Sequence, residues 1–66
     1  MWVTNKTPIG TTVEWHGRTY TVLTMPRTDK YGEILRDVRR VSDGAVWTGV
    51  AQRYMAIVPK KKGGAK

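Results

Sequence analysis

Sixty-six residues carry twelve Lys and Arg against five Asp and Glu, a net charge of +7, with three tryptophans and no cysteine. A single domain of this size buries only about 60% of the surface its unfolded chain exposes, and without cysteine neither a disulfide framework nor a thiolate zinc site can supplement its core. No stretch approaches the roughly 20 apolar residues of a membrane-spanning helix, and the opening MWVTNKTPIG lacks the apolar run of a signal peptide.

The expectation is therefore a soluble, cytoplasmic protein, read from Met1 as a whole small gene product. Lys60, Lys61, Lys62 and Lys66 account for four of the charges, which leaves eight basic against five acidic side chains in residues 1–59, or +3. Two units follow: a domain over 1–59 and a basic tail over 60–66. With Gly63, Gly64 and Ala65 offering nothing to pack, the tail is expected to be disordered and solvated.

The first element is Thr11 to Trp15, where Val13 and Trp15 alternate with Thr12 and Glu14 as in a half-buried strand. His16-Gly17 follows between two runs rich in β-branched and aromatic residues, the signal of a tight hairpin turn. Arg18 to Met25 continues as a strand with Tyr20 and Val22 on one face. Leu23 and Met25 break the alternation, so a bulge or bend near Leu23 is expected to turn them inward. Pro26 has no N–H and should stop the ladder, leaving PRTDKYG, residues 26–32, as a polar loop.

Glu33 to Val41 is ambiguous. Ile34, Leu35, Val38 and Val41 fall at helical spacing, yet Ser42-Asp43-Gly44 is a turn signal. Pairing Val38–Val41 with Ala45–Thr48 around it gives a hairpin with a type I turn and a glycine bulge. The strand is favoured, with a helix at 33–41 in an α+β fold as the alternative. Ala45 to Val50 then places Val46, Thr48 and Val50 on one face and Trp47 on the other. Ala51 to Tyr54 suggests a single helical turn, and Met55 to Val58 a closing strand that Pro59 ends.

The block Thr48, Gly49, Val50, Ala51, Gln52, Arg53, Tyr54, Met55, Ala56 resembles the end of a Src-homology-3 domain, where a Thr-Gly, a short 3-10 turn and a Tyr-Val-Ala-type strand complete the barrel. It is similar also to the last hairpin of retroviral integrase C-terminal domains and of small bacterial and phage SH3-like barrels that bind nucleic acid. The resemblance covers about a third of the chain. It implies an all-β fold, a small five-stranded SH3-like barrel with a 3-10 turn before its last strand. The signalling members of that family open on Ala-Leu-Tyr-Asp-Tyr, carry an acidic long loop and pair two adjacent tryptophans. Here the opening is TTVEW, the loop PRTDKYG carries both signs of charge, and no Trp-Trp occurs. Polyproline recognition, which needs an aromatic-lined groove, is not expected.

Catalytic chemistry finds no support. The single His16 and single Ser42 fall in different predicted turns, far from the nucleophile–base pairing that acyl transfer requires. One His, no Cys and five scattered carboxylates form no metal-ligand pattern, and no glycine loop cradles phosphate. The expectation is no enzyme, no cofactor and no metal.

What remains is basic and aromatic. Arg18, Arg36, Arg39, Arg40 and Arg53 together with Lys60, Lys61 and Lys62 are the candidate nucleic-acid contacts, and Trp2, Tyr31 and Trp47 the candidate stacking platforms. Guanidinium forks suit phosphate oxygens, and aromatic faces stack on unpaired bases. In a strand, Arg36 and Arg40 flank Val38 on one face, which is either an exposed basic face or a core face with the two arginines at its edges. Trp15, Tyr20, Val22, Val46 and Ile57 are assigned mainly to the core, while Trp2 and Trp47 are left open between packing and exposure.

The leading expectation is a small DNA- or RNA-binding protein, phage- or plasmid-encoded, that contacts backbone phosphates. The alternative is a protein-interaction module that docks on a larger host enzyme or a virion component.

Overall fold

The computed structural model describes residues 1–59, and the expected tail at 60–66, with Lys60, Lys61 and Lys62, lies outside them. The fold is all-β. Its strands are β1 (Thr12–Trp15), β2 (Arg18–Val22), β3 (Arg27–Thr28), β4 (Ile34–Arg40), β5 (Val46–Ala51) and β6 (Ala56–Ile57), with one 3-10 turn at Gln52–Tyr54 before β6. Among the described residues there is no α-helix, and so none long and apolar enough to cross a membrane. Within the segment 33–41, Ile34–Arg40 is a strand and not a helix, as the turn signal behind it argued.

All pairings are antiparallel. β2 and β3 lie end to end along the same edge of β4, Val22 opposite Val38 and Arg27 opposite Leu35, so together they act as one long strand bent between them. The spatial order is then β5, β4, β2 with β3, β1, β6. Beyond β6 comes the N-terminus. Trp2 bridges to Ala56, the Val3 N–H donates to the Met55 carbonyl at 3.0 Å, and the Ile57 N–H donates to the Met1 carbonyl at 2.7 Å.

A closed barrel was expected, but the sheet does not close: β5 pairs with β4 and β6 with β1, and no ladder joins β5 to β6. Among the described residues the outer edge of β5 is left open.

Turn chemistry sets the register. His16 and Gly17 adopt φ of 53° and 72°, so both central residues of the first hairpin are left-handed, the geometry whose twist matches that of the flanking strands. The second hairpin closes on Arg40 and Ala45, whose N–H···O bond is 2.7 Å, so Val41 joins the turn instead of ending the strand. Gly44 supplies the left-handed residue there, at φ 77°.

Pro26 ends β2 only locally. At the bend the Thr24 hydroxyl accepts the Asp37 N–H at 2.9 Å, a side-chain substitute for a ladder bond, and pairing resumes at once in β3. The polar loop is correspondingly reduced to a turn in which the Asp29 carboxylate accepts the Tyr31 and Glu33 N–H groups at 2.8 and 2.9 Å.

The core is Val3, Val13, Tyr20, Val22, Val38, Val50 and Met55, with Trp15, Trp47 and Ile57 half-buried against it. Two expectations fail here. Met25 stays exposed, because the chain turns outward at the bend. Val46 is 55% exposed, because Val38 faces Trp47 while Arg36 faces Val50. One residue of β4, Asp37, thus opposes two of β5, Thr48 and Gly49. This bulge switches the parity of β5, so that Trp47 and Val50 both point inward. Gly49 takes the left-handed conformation the bulge requires, φ 68°.

Arg36 is the least expected member of the interior. It has no accessible surface, and its guanidinium donates to Gln52 Oε1 (2.8 Å) and to the carbonyls of Thr24 (3.0 Å), Thr4 (3.0 Å) and Thr7 (2.8 Å). No carboxylate pairs with it. Burial lowers its pKa, but an arginine stays charged in proteins. Val38 thus marks the core face, and Arg36 lies inside it instead of at its edge.

Candidate functional site

Strand alternation and the bulge bring three aromatic side chains, far apart in sequence, to one end of the inner face. Trp15 ends β1, Tyr20 stands on β2 and Trp47 on β5. Their rings meet edge to face: 5.3 Å between Trp15 and Tyr20, 5.6 Å between Tyr20 and Trp47, and 6.4 Å between Trp15 and Trp47. This is the preferred arrangement of aromatic quadrupoles and is worth about 0.5–1.5 kcal/mol per pair beyond area burial. Tyr20 is the buried base of the triangle, and both tryptophans keep part of their surface open.

The open seam beside β5 is the site this geometry makes. Trp15, His16, Trp47, Thr48, Gly49, Val50, Ala51 and Tyr54 line a cleft of about 560 Å³, within the roughly 300–1,000 Å³ of small-ligand sites. No carboxylate is among them. Arginines stand on its aromatic walls. The Arg40 guanidinium lies 4.6 Å from the Trp47 ring centre, and that of Arg53 lies 5.0 Å from Tyr54.

Each arginine is also held by an acid. Arg40 grips Asp43 through Nε (2.9 Å) and Nη2 (2.6 Å). That contact raises the Arg40 pKa and pushes the Asp43 carboxyl far below the ordinary range. Arg53 lies 3.1 Å from Glu33. Arg18, exposed and opposite Trp15 in the β1–β2 register, shares its face with Tyr20.

The expected site residues therefore divide. Arg40, Arg53 and Trp47 come together at the cleft, and Arg18 stands opposite Trp15 in the β1–β2 register. Arg39 is exposed on the outer face of the sheet, between Thr21 and Val46. Arg36 is withdrawn from any ligand by burial. Tyr31, 82% exposed and beside Lys30, occupies the turn before the Ile34 end of β4, whereas Trp47 faces Val38 towards the other end of that strand. Trp2 is exposed on the far edge beyond β6.

Of the lining residues only Trp47 was among the expected contacts. Trp15 was assigned to the core, and His16 and Tyr54 to turns. The Trp-Trp pair absent from the linear sequence forms in space, between residues 15 and 47. A hint of it lay in their common position, each on a strand ending or starting at a tight turn. Among the described residues no group of three or more His, Asp or Glu could hold a metal ion.

Compared with family models, curated proteins and solved structures, the chain matches none.

Proposed function

We propose that this chain is a small nucleic-acid-binding protein of the cytoplasm, phage- or plasmid-encoded, that holds backbone phosphates through arginine and lysine. The carrying observation is the cleft itself: aromatic walls, no lining carboxylate, and Arg40 and Arg53 stacked on Trp47 and Tyr54. Arg18 adds a cation on the same face, and the lysines at 60–62 add three more along the sequence. The block Thr48 to Ala56 that resembles SH3-like nucleic-acid-binding barrels contributes Thr48, Gly49, Val50, Ala51 and Tyr54 to that cleft, which supports the same reading. The Arg53–Glu33 contact is a single 3.1 Å approach by an exposed guanidinium and is of low value, so a phosphate can replace it at little cost, whereas the two-point Arg40–Asp43 pair has to be shared or displaced.

Affinity for a labelled oligonucleotide across a salt series tests the reading. Four phosphates neutralised on a single strand give a log–log slope of about −3, and removing residues 60–66 flattens whatever slope the full chain shows by about 2, at roughly 0.7 per contact. Absence of binding at low salt to both DNA and RNA refutes it.

The open edge of β5 favours a second reading, a protein-interaction module that takes an extended peptide of a host enzyme or virion component by strand addition. Binding to such a partner would be insensitive to removal of the lysines and to nuclease.

A further inference from the structure

We infer that the cleft beside β5 is a stacking pocket for an unpaired nucleobase, so that the ligand is single-stranded nucleic acid and not duplex. The inference rests on the nucleic-acid reading above and deepens it.

Concavity is the first argument. A base inside a duplex has both π-faces covered by its neighbours and presents only its edges in the grooves. A cleft lined by Trp15, Trp47 and Tyr54 beside the open β5 edge offers aromatic surface more than a pattern of groove-reading donors and acceptors. Only a base with a free face can use it, and every base has one once unpaired.

Charge placement is the second. The rim cations are stacked on the walls, Arg40 on Trp47 and Arg53 on Tyr54, which puts a phosphate-binding group beside each aromatic surface. This is the alternation of ring and cation that tracks a single strand. The outer face of the sheet is unsuited to a duplex. There Arg39 shares the surface with Glu14 and with the Arg27–Asp37 pair, 2.8 Å apart, so charge of both signs is interspersed and no basic stripe forms.

The bulge supplies the third. Without the parity switch at Thr48-Gly49, Trp47 and Val50 would point to opposite faces and the wall would not exist. A residue in left-handed conformation is held within a strand, and its result is a half-buried tryptophan beside an unpaired sheet edge.

The test uses the full chain with Trp2→Phe, which leaves Trp15 and Trp47, both lining the cleft, as the only tryptophans. Single-stranded oligo-dT and oligo-U and a duplex of equal length are titrated at matched salt. Both single strands should quench the tryptophan emission and bind at least tenfold more tightly than the duplex. The ratio between dT and U separates DNA from RNA. Tyr54→Ala, at an exposed position on the 3-10 turn, should weaken single-strand binding about tenfold or more, as loss of one stacking partner does, while leaving the salt slope unchanged. Trp47→Phe keeps the wall aromatic and should retain most of the affinity.

Equal affinity for duplex, or Tyr54→Ala binding as tightly as its parent, overturns the pocket while the broader nucleic-acid reading stands. A proline-rich or extended peptide that alone quenches Trp15 and Trp47 overturns it in favour of a protein ligand. No binding of any nucleic acid removes the parent reading as well.

Discussion

Replacing Arg36 with methionine should destabilise the fold by about 3–5 kcal/mol, the scale reached when two buried acceptors and two partly buried ones lose their donor together. Methionine fills a similar volume and removes the cost of burying a charge. Against that, four acceptors lose their donor: Gln52 Oε1 and the carbonyls of Thr4, Thr7 and Thr24. The bonds to Gln52 and Thr7 are buried, and an unsatisfied buried acceptor costs about 1–3 kcal/mol. The other two are partly buried and can recover some of their loss from water.

The acceptors belong to three separate segments, so the loss is shared by the N-terminal residues, the bend after β2 and the 3-10 turn. At roughly 0.05–0.15 kcal/mol per residue, a 66-residue protein has only about 3–10 kcal/mol in total. Urea unfolding followed by tryptophan fluorescence is the assay. With a slope of about 1 kcal/mol/M for so small a protein, the midpoint should fall by about 3–5 M or the variant should be unfolded in buffer. A methionine variant within about 0.5 kcal/mol of the parent, or above it, would refute the reasoning. It would make Arg36 a net cost that the fold tolerates.

Gly49→Ala should cost about 1–2 kcal/mol, the penalty of a left-handed L-residue. The added Cβ meets Arg27 Nη2 and Leu35 Cδ1 only at 3.9 Å, so the loss is backbone strain, and chemical denaturation should show it without a change in slope. Acid should also destabilise the fold. The Asp37 carboxyl is held below its ordinary value by Arg27 and then by the Gly49 N–H, and the Asp43 carboxyl by Arg40. A carboxylate with a depressed folded pKa contributes fully above about pH 4 and loses that contribution as pH falls through the folded value. Asp37→Asn should be less stable than the parent at pH 6 and decline less between pH 4 and 2. An equally steep decline would exclude Asp37 as a source.

Much of the fold was legible because local chemistry and global pattern agree. His16-Gly17 and Asp43-Gly44 announce turns, and the residues between them alternate cleanly enough in β1 and β2 to fix an inner face. The Ser-Asp-Gly signal decided the strand at 33–41 against a helical periodicity that was real but had no core to face. Legibility failed where a tertiary contact replaces a local rule. The Thr24 hydroxyl takes the Asp37 N–H and lets the sheet run past Pro26. The bulge at Thr48-Gly49, anchored by the Gly49 N–H on Asp37 Oδ1 at 3.0 Å, inverts the second half of β5. Simple alternation therefore placed Val46 inside.

The candidate site was half visible. Trp47, Arg18, Arg40 and Arg53 are surface-type residues in a basic chain and were named on that ground. Trp15 and Tyr54 were not, because their partnership depends on β1 and β5 meeting across an open seam, which no spacing encodes. Arg36 was misplaced for the opposite reason. An arginine is rarely buried without an acid, and the carbonyls that accept from it come from segments 12 to 32 residues distant.

The position of β6 has a consequence for how the chain acquires its structure. Ala56 pairs with Glu14 on one side and Trp2 on the other, so the final described strand is inserted between two segments made first. During synthesis those two early segments emerge with an empty slot between them and an unmatched edge on each side. They have to wait for nearly the whole chain before the slot is filled. Pairings this remote in sequence are slow to form, and shortening the chain ahead of Ala56 takes out an interior strand instead of trimming an end.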